Sequence, residues 1–130
     1  MVLGGQHQTN IALAICYEIS VPEHLESALK SGPEIYVASV AKFVNGINKA
    51  IERLSSVARD GAMPVLMSNC VGFADGSQCA GKTSVWNNQG SLIGQLNDSD
   101  EGMLIFDTDR QRAAEPYQVK IAQAKAKGIV

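Results

Sequence analysis

The sequence has no surplus of positive charge: 11 lysines and arginines stand against 13 aspartates and glutamates, and the basic residues are scattered. Nucleic acid and acidic membrane surfaces select clustered lysine and arginine, so neither is expected as a partner. Cysteines are few, odd in number and without a CxxC pair, at positions 16, 70 and 79. That pattern argues against a disulfide framework or a finger-type zinc site and fits a reducing compartment. No apolar run approaches the ~18 residues of a membrane span. The first residues, Met1-Val2-Leu3-Gly4-Gly5-Gln6-His7, lack the charged and apolar regions of a signal peptide. A soluble, unexported, cytoplasmic protein is the expectation. Repeats, linkers and low-complexity tracts are also missing, which leaves one structural unit as the simplest organisation.

What is present suffices for a core. Hydrophobic residues make up 45% of 130 positions, and a chain of this length buries about two-thirds of its unfolded surface. Residues 10–16 are a short continuous apolar run, the pattern of a central strand buried on both faces. Pro22-Glu23 is a favourable first helical turn, since proline pre-sets φ and needs no donor there; a helix over 22–31 is predicted, ended by Gly32-Pro33. Residues 35–40 read as a second strand. Ile47, Ala50, Ile51, Leu54, Val57 and Ala58 recur at helical spacing and put one apolar face on a second helix, with Lys49, Glu52, Arg53 and Arg59 opposite. A third strand is expected over 64–71, then a glycine-rich loop with Gly72, Gly76 and Gly81. Strands near 83–87 and 91–96 flank the turn-forming Asn87-Asn88-Gln89-Gly90, and 103–107 forms a last strand before a polar tail over 110–130 with helical propensity. Alternating strands and helices followed by an antiparallel stretch imply an α/β fold, a mixed sheet with helices on one face.

Cys16 closes the first strand six residues before the helix, at the kind of strand-to-helix turn on which α/β enzymes mount nucleophiles. Backbone N–H groups in such a turn can face a developing oxyanion, and a thiol there attacks once a neighbour takes its proton. By position alone a plain buried cysteine is the more ordinary reading.

The surrounding residues decide between these. Ile15-Cys16-Tyr17-Glu18-Ile19-Ser20-Val21-Pro22-Glu23 resembles the nucleophile motif of the nitrilase superfamily of carbon–nitrogen hydrolases. Ala38-Ser39-Val40-Ala41-Lys42 is similar to that family's pocket-lining strand end, and Ser68-Asn69-Cys70-Val71-Gly72 to its Asn-x-Val-Gly element. Gly81-Lys82-Thr83-Ser84-Val85-Trp86-Asn87-Asn88-Gln89-Gly90 and 101–107 resemble the elements that close the domain. The resemblance implies half of a four-layer α-β-β-α sandwich, the C-terminal half, occupying residues 1–109. It further implies hydrolysis of an amide, N-carbamoyl compound or nitrile through a thioester on Cys16. The backbone N–H of Tyr17 would share the oxyanion and Ser39, Val40 and Asn69 would shape the substrate pocket. No metal or organic cofactor is implied.

The family also uses a glutamate base and a lysine, both upstream of the cysteine. The fifteen residues before Cys16 contain no Glu, Asp or Lys. Glu18, Glu23 and His24 are the local titratable groups, and structural roles suit them better. The resemblance therefore implies a complementary N-terminal half, or another copy of the chain, as partner. The alternative is a non-catalytic structural or interaction fragment of a carbon–nitrogen hydrolase. Ser20 departs from the family by standing where an arginine is common.

Rival motifs weigh less. Gly76-Ser77-Gln78-Cys79-Ala80-Gly81-Lys82-Thr83 fits the phosphate-binding Gly-x4-Gly-Lys-Thr pattern. That site needs a helix directly after the loop, and Ser84-Val85-Trp86 is β-forming. Cys70 and Cys79 could form a thiol pair or a metal site, but two ligands without nearby His or Asp clusters are too few for a metal. Cys70 is expected in the core and Cys79 in an ordinary loop position. Tyr36 and Trp86 are expected in core or interface, and His7 in an N-terminal segment, with a Cys–His dyad to Cys16 as the weaker alternative.

Overall fold

A computed structural model describes residues 8–115. Strand β1 (Ile11–Ile15) leads through a 3-10 turn (Cys16–Ser20) into helix α1 (Pro22–Lys30), then strand β2 (Ile35–Ser39), helix α2 (Ile47–Gly61) and strand β3 (Val65–Ser68). A short hairpin of β4 (Phe73–Ala74) and β5 (Ser77–Gln78) follows, then β6 (Ser84–Trp86), β7 (Leu92–Gln95), β8 (Ile105–Asp107) and β9 (Arg112–Ala114). Pro22 sits at the start of α1, as its ring and missing N–H favour. Among the described residues no helix is long and apolar enough to cross a membrane.

The main sheet has the order β1-β2-β3-β6-β7. β1, β2 and β3 are parallel, each pair joined by a helical crossover as parallel strands require; β6 and β7 add on antiparallel. The register separates the two faces. Ala12, Tyr36, Val65 and Trp86 are neighbours across four strands, and Ala14, Ala38, Met67 and Ser84 form the next row. All eight are buried. Against the apolar rows pack Ile47, Ala50, Leu54, Val57 and Ala58 of α2, with Leu25 and Ala28 of α1. The stripe read from the sequence is the buried face of α2.

The other face carries the row Leu13, Val37, Leu66 and Val85. Its cover is graded: Val85 is 3% exposed, Leu13 54% and Ile15 63%. Two expectations change here. β1 is the edge of the sheet among the described residues, not a central strand, and only one of its faces is buried. The continuous apolar run of residues 11–15 thus exceeds what this chain's own layers cover, which is the physical reason the sequence misled.

Residues 70–79 are a second correction. Cys70 and Cys79 are disulfide-bonded, with Cα atoms 5.6 Å apart, inside the usual span for a bridge. Asp75 and Gly76 both adopt positive φ, the hairpin-turn geometry that folds β4 onto β5, and Cys79 N–H donates to the Gly72 carbonyl at 2.7 Å. The hairpin brings the two thiols together. The bridge is the alternative the sequence disfavours, and the hairpin is not among the predicted elements, although Asp75-Gly76 is a strong hairpin signal. Strand β9 at 112–114 pairs with β8, so ordered structure continues past residue 109. The rest of the predicted polar tail, and His7, lie outside the described residues.

Candidate active site

Register alone assembles the strand ends. Ile15, Ser39 and Ser68 are neighbours at the carboxyl ends of the three parallel strands. The next residue on each strand is Cys16, Val40 and Asn69, so these three follow one another along the edge where open α/β sheets place their sites. Three of the residues singled out by sequence are therefore brought to one sheet edge, with Ser39 beside them.

Cys16 is the free thiol among the described residues and is only partly buried. Its φ is +48°, a left-handed conformation that L-residues other than glycine, asparagine and aspartate rarely adopt and that costs on the order of 1–3 kcal/mol. Such strain persists only where the surroundings enforce it. Here the Glu18 carboxylate reaches back, Oε1 accepting the Ile15 N–H at 2.8 Å, and its Oε2 lies 3.1 Å from His24 Nε2. Both oxygens of Glu18 are thus engaged, which fits a structural part. Tyr17 is the second residue of the 3-10 turn, where N–H groups have no acceptor within the helix; its side chain is exposed.

Ser39 is exposed on the strand end. Val40 is buried and its side chain belongs to the core cluster, while its N–H donates to the Ser68 carbonyl at 2.9 Å. Asn69 is a brace. Its Oδ1 accepts the Lys42 N–H at 2.8 Å, and its Nδ2 donates to the carbonyls of Gly81 at 2.8 Å and Lys42 at 3.2 Å. It also borders a cavity of about 580 Å³ between β3, β6 and residues 97–104.

The same region disposes of the phosphate-loop reading. Thr83 Oγ1 is taken by the Asn69 backbone at 3.0 Å, and β6 begins at Ser84 with no helix. Gly81 has positive φ, and a Cβ there would come within 2.8 Å of the Asp98 Cα, so the loop is pressed against protein rather than open to an anion.

The packing of α2 and β2 adds two features that have no sequence signature. Arg53 of α2 sends Nη1 to Ser20 Oγ at 2.7 Å, delivering a guanidinium from another helix to the position where the local motif lacks arginine. Tyr36, on the core face of β2, has its phenol held above the ordinary value near 10 by burial first and by the Glu18 carboxylate second. A raised phenol favours the protonated, folded form, so its stabilising effect is complete below pH ~10 and is lost as pH climbs through the folded-state value. Thermal melts from pH ~8 to ~11 should show a steeper alkaline loss of stability for the native chain than for Tyr36→Phe; parallel curves would contradict it.

A model of the carbon-nitrogen hydrolase family matches residues 2–117. The protein described as "Hydrolase in agr operon" of Staphylococcus aureus is 32% identical over 93 residues, 70% of this chain and 35% of that protein. The chain therefore spans about a third of that relative's length. Among solved structures, Saccharomyces cerevisiae Nit3, of the nitrilase superfamily, superposes with a TM-score of 0.64 at 17% identity, covering 75% of this chain and 39% of that one. A carbon-nitrogen hydrolase from Helicobacter pylori gives 0.63 at 17%, over 72% and 38%. An amidase from Nesterenkonia sp., captured with the acetamide moiety of fluoroacetamide added covalently at its active-site cysteine, gives 0.59 at 19%, over 71% and 35%.

Proposed function

Because this chain belongs to the carbon-nitrogen hydrolase family, we propose that it carries the nucleophile of an amide-cleaving hydrolase, with Cys16 as the attacking thiol. The observation that carries this reading is the left-handed Cys16 at the end of a parallel strand, a partly exposed thiol in a conformation the chain must work to maintain. In the proposed reaction Cys16 Sγ bonds to the carbonyl carbon as its proton passes to a carboxylate base. The carbonyl oxygen becomes an oxyanion facing the Tyr17 N–H and a lysine. The C–N bond then breaks, the amine leaves with that proton, and water hydrolyses the thioester. N-carbamoyl compounds react in the same way, and a nitrile would pass through a thioimidate.

Base and lysine come from polypeptide outside these 130 residues. The half-covered row Leu13, Val37 and Leu66 supports the arrival of a further layer, giving the four-layer sandwich of this family. Ser39 and the backbone at Val40 and Asn69 would border the substrate.

An activated ester tests the thiol without needing a strong base. With p-nitrophenyl acetate we expect a burst of nitrophenolate and an acetyl adduct on Cys16 by mass spectrometry. After reduction, acylation of Cys70 and Cys79 at the same rate as Cys16, or no adduct on Cys16, would mean that the chain is a structural fragment.

A further inference from the structure

We propose that His24 is a positioning residue for the nucleophile, holding Cys16 in its left-handed turn through Glu18; the inference rests on Cys16 being the nucleophile. The chain of contacts is continuous. His24 lies in the first turn of α1, its N–H donating to the Val21 carbonyl at 3.1 Å, just after the rigid Pro22. Its Nε2 meets Glu18 Oε2 at 3.1 Å, and Glu18 Oε1 accepts the N–H of Ile15 at 2.8 Å, the residue directly before Cys16. A helix is thereby tied to the peptide that enters the strained position.

The polar atoms of His24 argue that this contact, and not packing, is its purpose. Its Nδ1 is buried without a hydrogen-bond partner among the described residues, and leaving a buried polar atom unpaired costs free energy that an apolar side chain would avoid. The Nε2–H tautomer suits the site best, because Nδ1 then keeps only a lone pair while the proton serves Glu18. An isolated carboxylate reaching back to one N–H could rotate away. The imidazole on its other oxygen fixes it, in the way a second hydrogen bond orients a catalytic group. At the far end of the same turn Arg53 holds Ser20, so the 3-10 turn is pinned from both helices.

The contrast between two substitutions isolates the effect. His24→Gln can place an amide N–H near the Nε2 position, whereas His24→Ala removes the donor. In His24→Ala, hydrogen exchange of the Ile15 amide should accelerate about tenfold or more while other β1 amides hold, and acylation of Cys16 by p-nitrophenyl acetate should slow by about tenfold or more, since small misplacements of reacting groups are costly. His24→Gln should restore both to within about threefold. Unchanged Ile15 exchange and Cys16 acylation in His24→Ala, or a Gln variant as impaired as Ala, would overturn the proposal. If the alanine variant does not fold, His24→Asn, whose amide falls short of Glu18, provides the same contrast with Gln. Failure of the underlying reading shows separately, as absent Cys16 acylation in the unsubstituted chain.

Discussion

Cys16→Ala is expected to reduce amide turnover by the complete enzyme by on the order of 10⁴–10⁶-fold, since removing the nucleophile of a nucleophile–base unit costs about as much as removing the unit. Stability should respond far less than it would at a core position. Cys16 is only partly buried, so truncation to alanine leaves a small cavity at most and should change stability by less than ~1 kcal/mol. Cys16→Gly goes further. Its φ of +48° is natural for glycine and strained for cysteine, so the glycine chain should be as stable as the original or more so, while inactive. Calorimetry on the two variants beside a turnover assay checks both halves. A Cys16→Gly chain that melts well below Cys16→Ala would show that the left-handed turn is not where strain is stored, and residual turnover near the original rate in either variant would remove Cys16 from the mechanism.

That trade between conformation and chemistry was half legible in the sequence. The apolar run and the following Pro22 locate Cys16 at a strand-to-helix junction, and the neighbouring motif carries the resemblance on which its proposed role rests. The sign of φ has no sequence signature, because cysteine is not a residue that advertises a left-handed turn. Side-chain spacing gave α2 correctly, since a single face meets a single layer. The same logic failed for β1. Periodicity records how much burial a segment needs, and residues 11–15 need more than the described layers provide. Contacts between distant segments were the least visible. Arg53 to Ser20 spans 33 positions and Asn69 to Lys42 spans 27, and both are set by how α2 and the strand ends come together. Glu18 and His24 are only six apart, but their pairing depends on the angle between the 3-10 turn and α1. The Cys70 to Cys79 bridge is disfavoured for a different reason: an odd cysteine count argues against a disulfide framework, and only the positive-φ Asp75-Gly76 turn that closes the hairpin brings these two thiols together.

The excess apolarity of β1 leads to the second large effect. These 130 residues by themselves should hydrolyse an amide roughly 10⁴–10⁷-fold more slowly than the same residues joined by polypeptide that carries the carboxylate base and lysine, combining ~10²–10⁴ for the base with ~10²–10³ for the oxyanion charge. Ammonia release measured before and after such polypeptide is supplied, as a second chain or a fusion, gives the ratio. The sheet face ties this gain to a surface. Leu13 is 54% exposed, so Leu13→Lys leaves the stand-alone chain nearly unchanged in stability, within ~0.5 kcal/mol for a surface site. If the proposed further layer covers Leu13, Val37 and Leu66, the same lysine would be forced into it, where an unpaired charge is expensive, and the gain in turnover should be lost. Full activity from the isolated chain would place a base within it; were that base Glu18, already committed to Ile15 and His24, it would have to be released to serve. Retention of the gain in Leu13→Lys would separate the catalytic partner from this face and move the missing groups to the opposite edge of the strand ends.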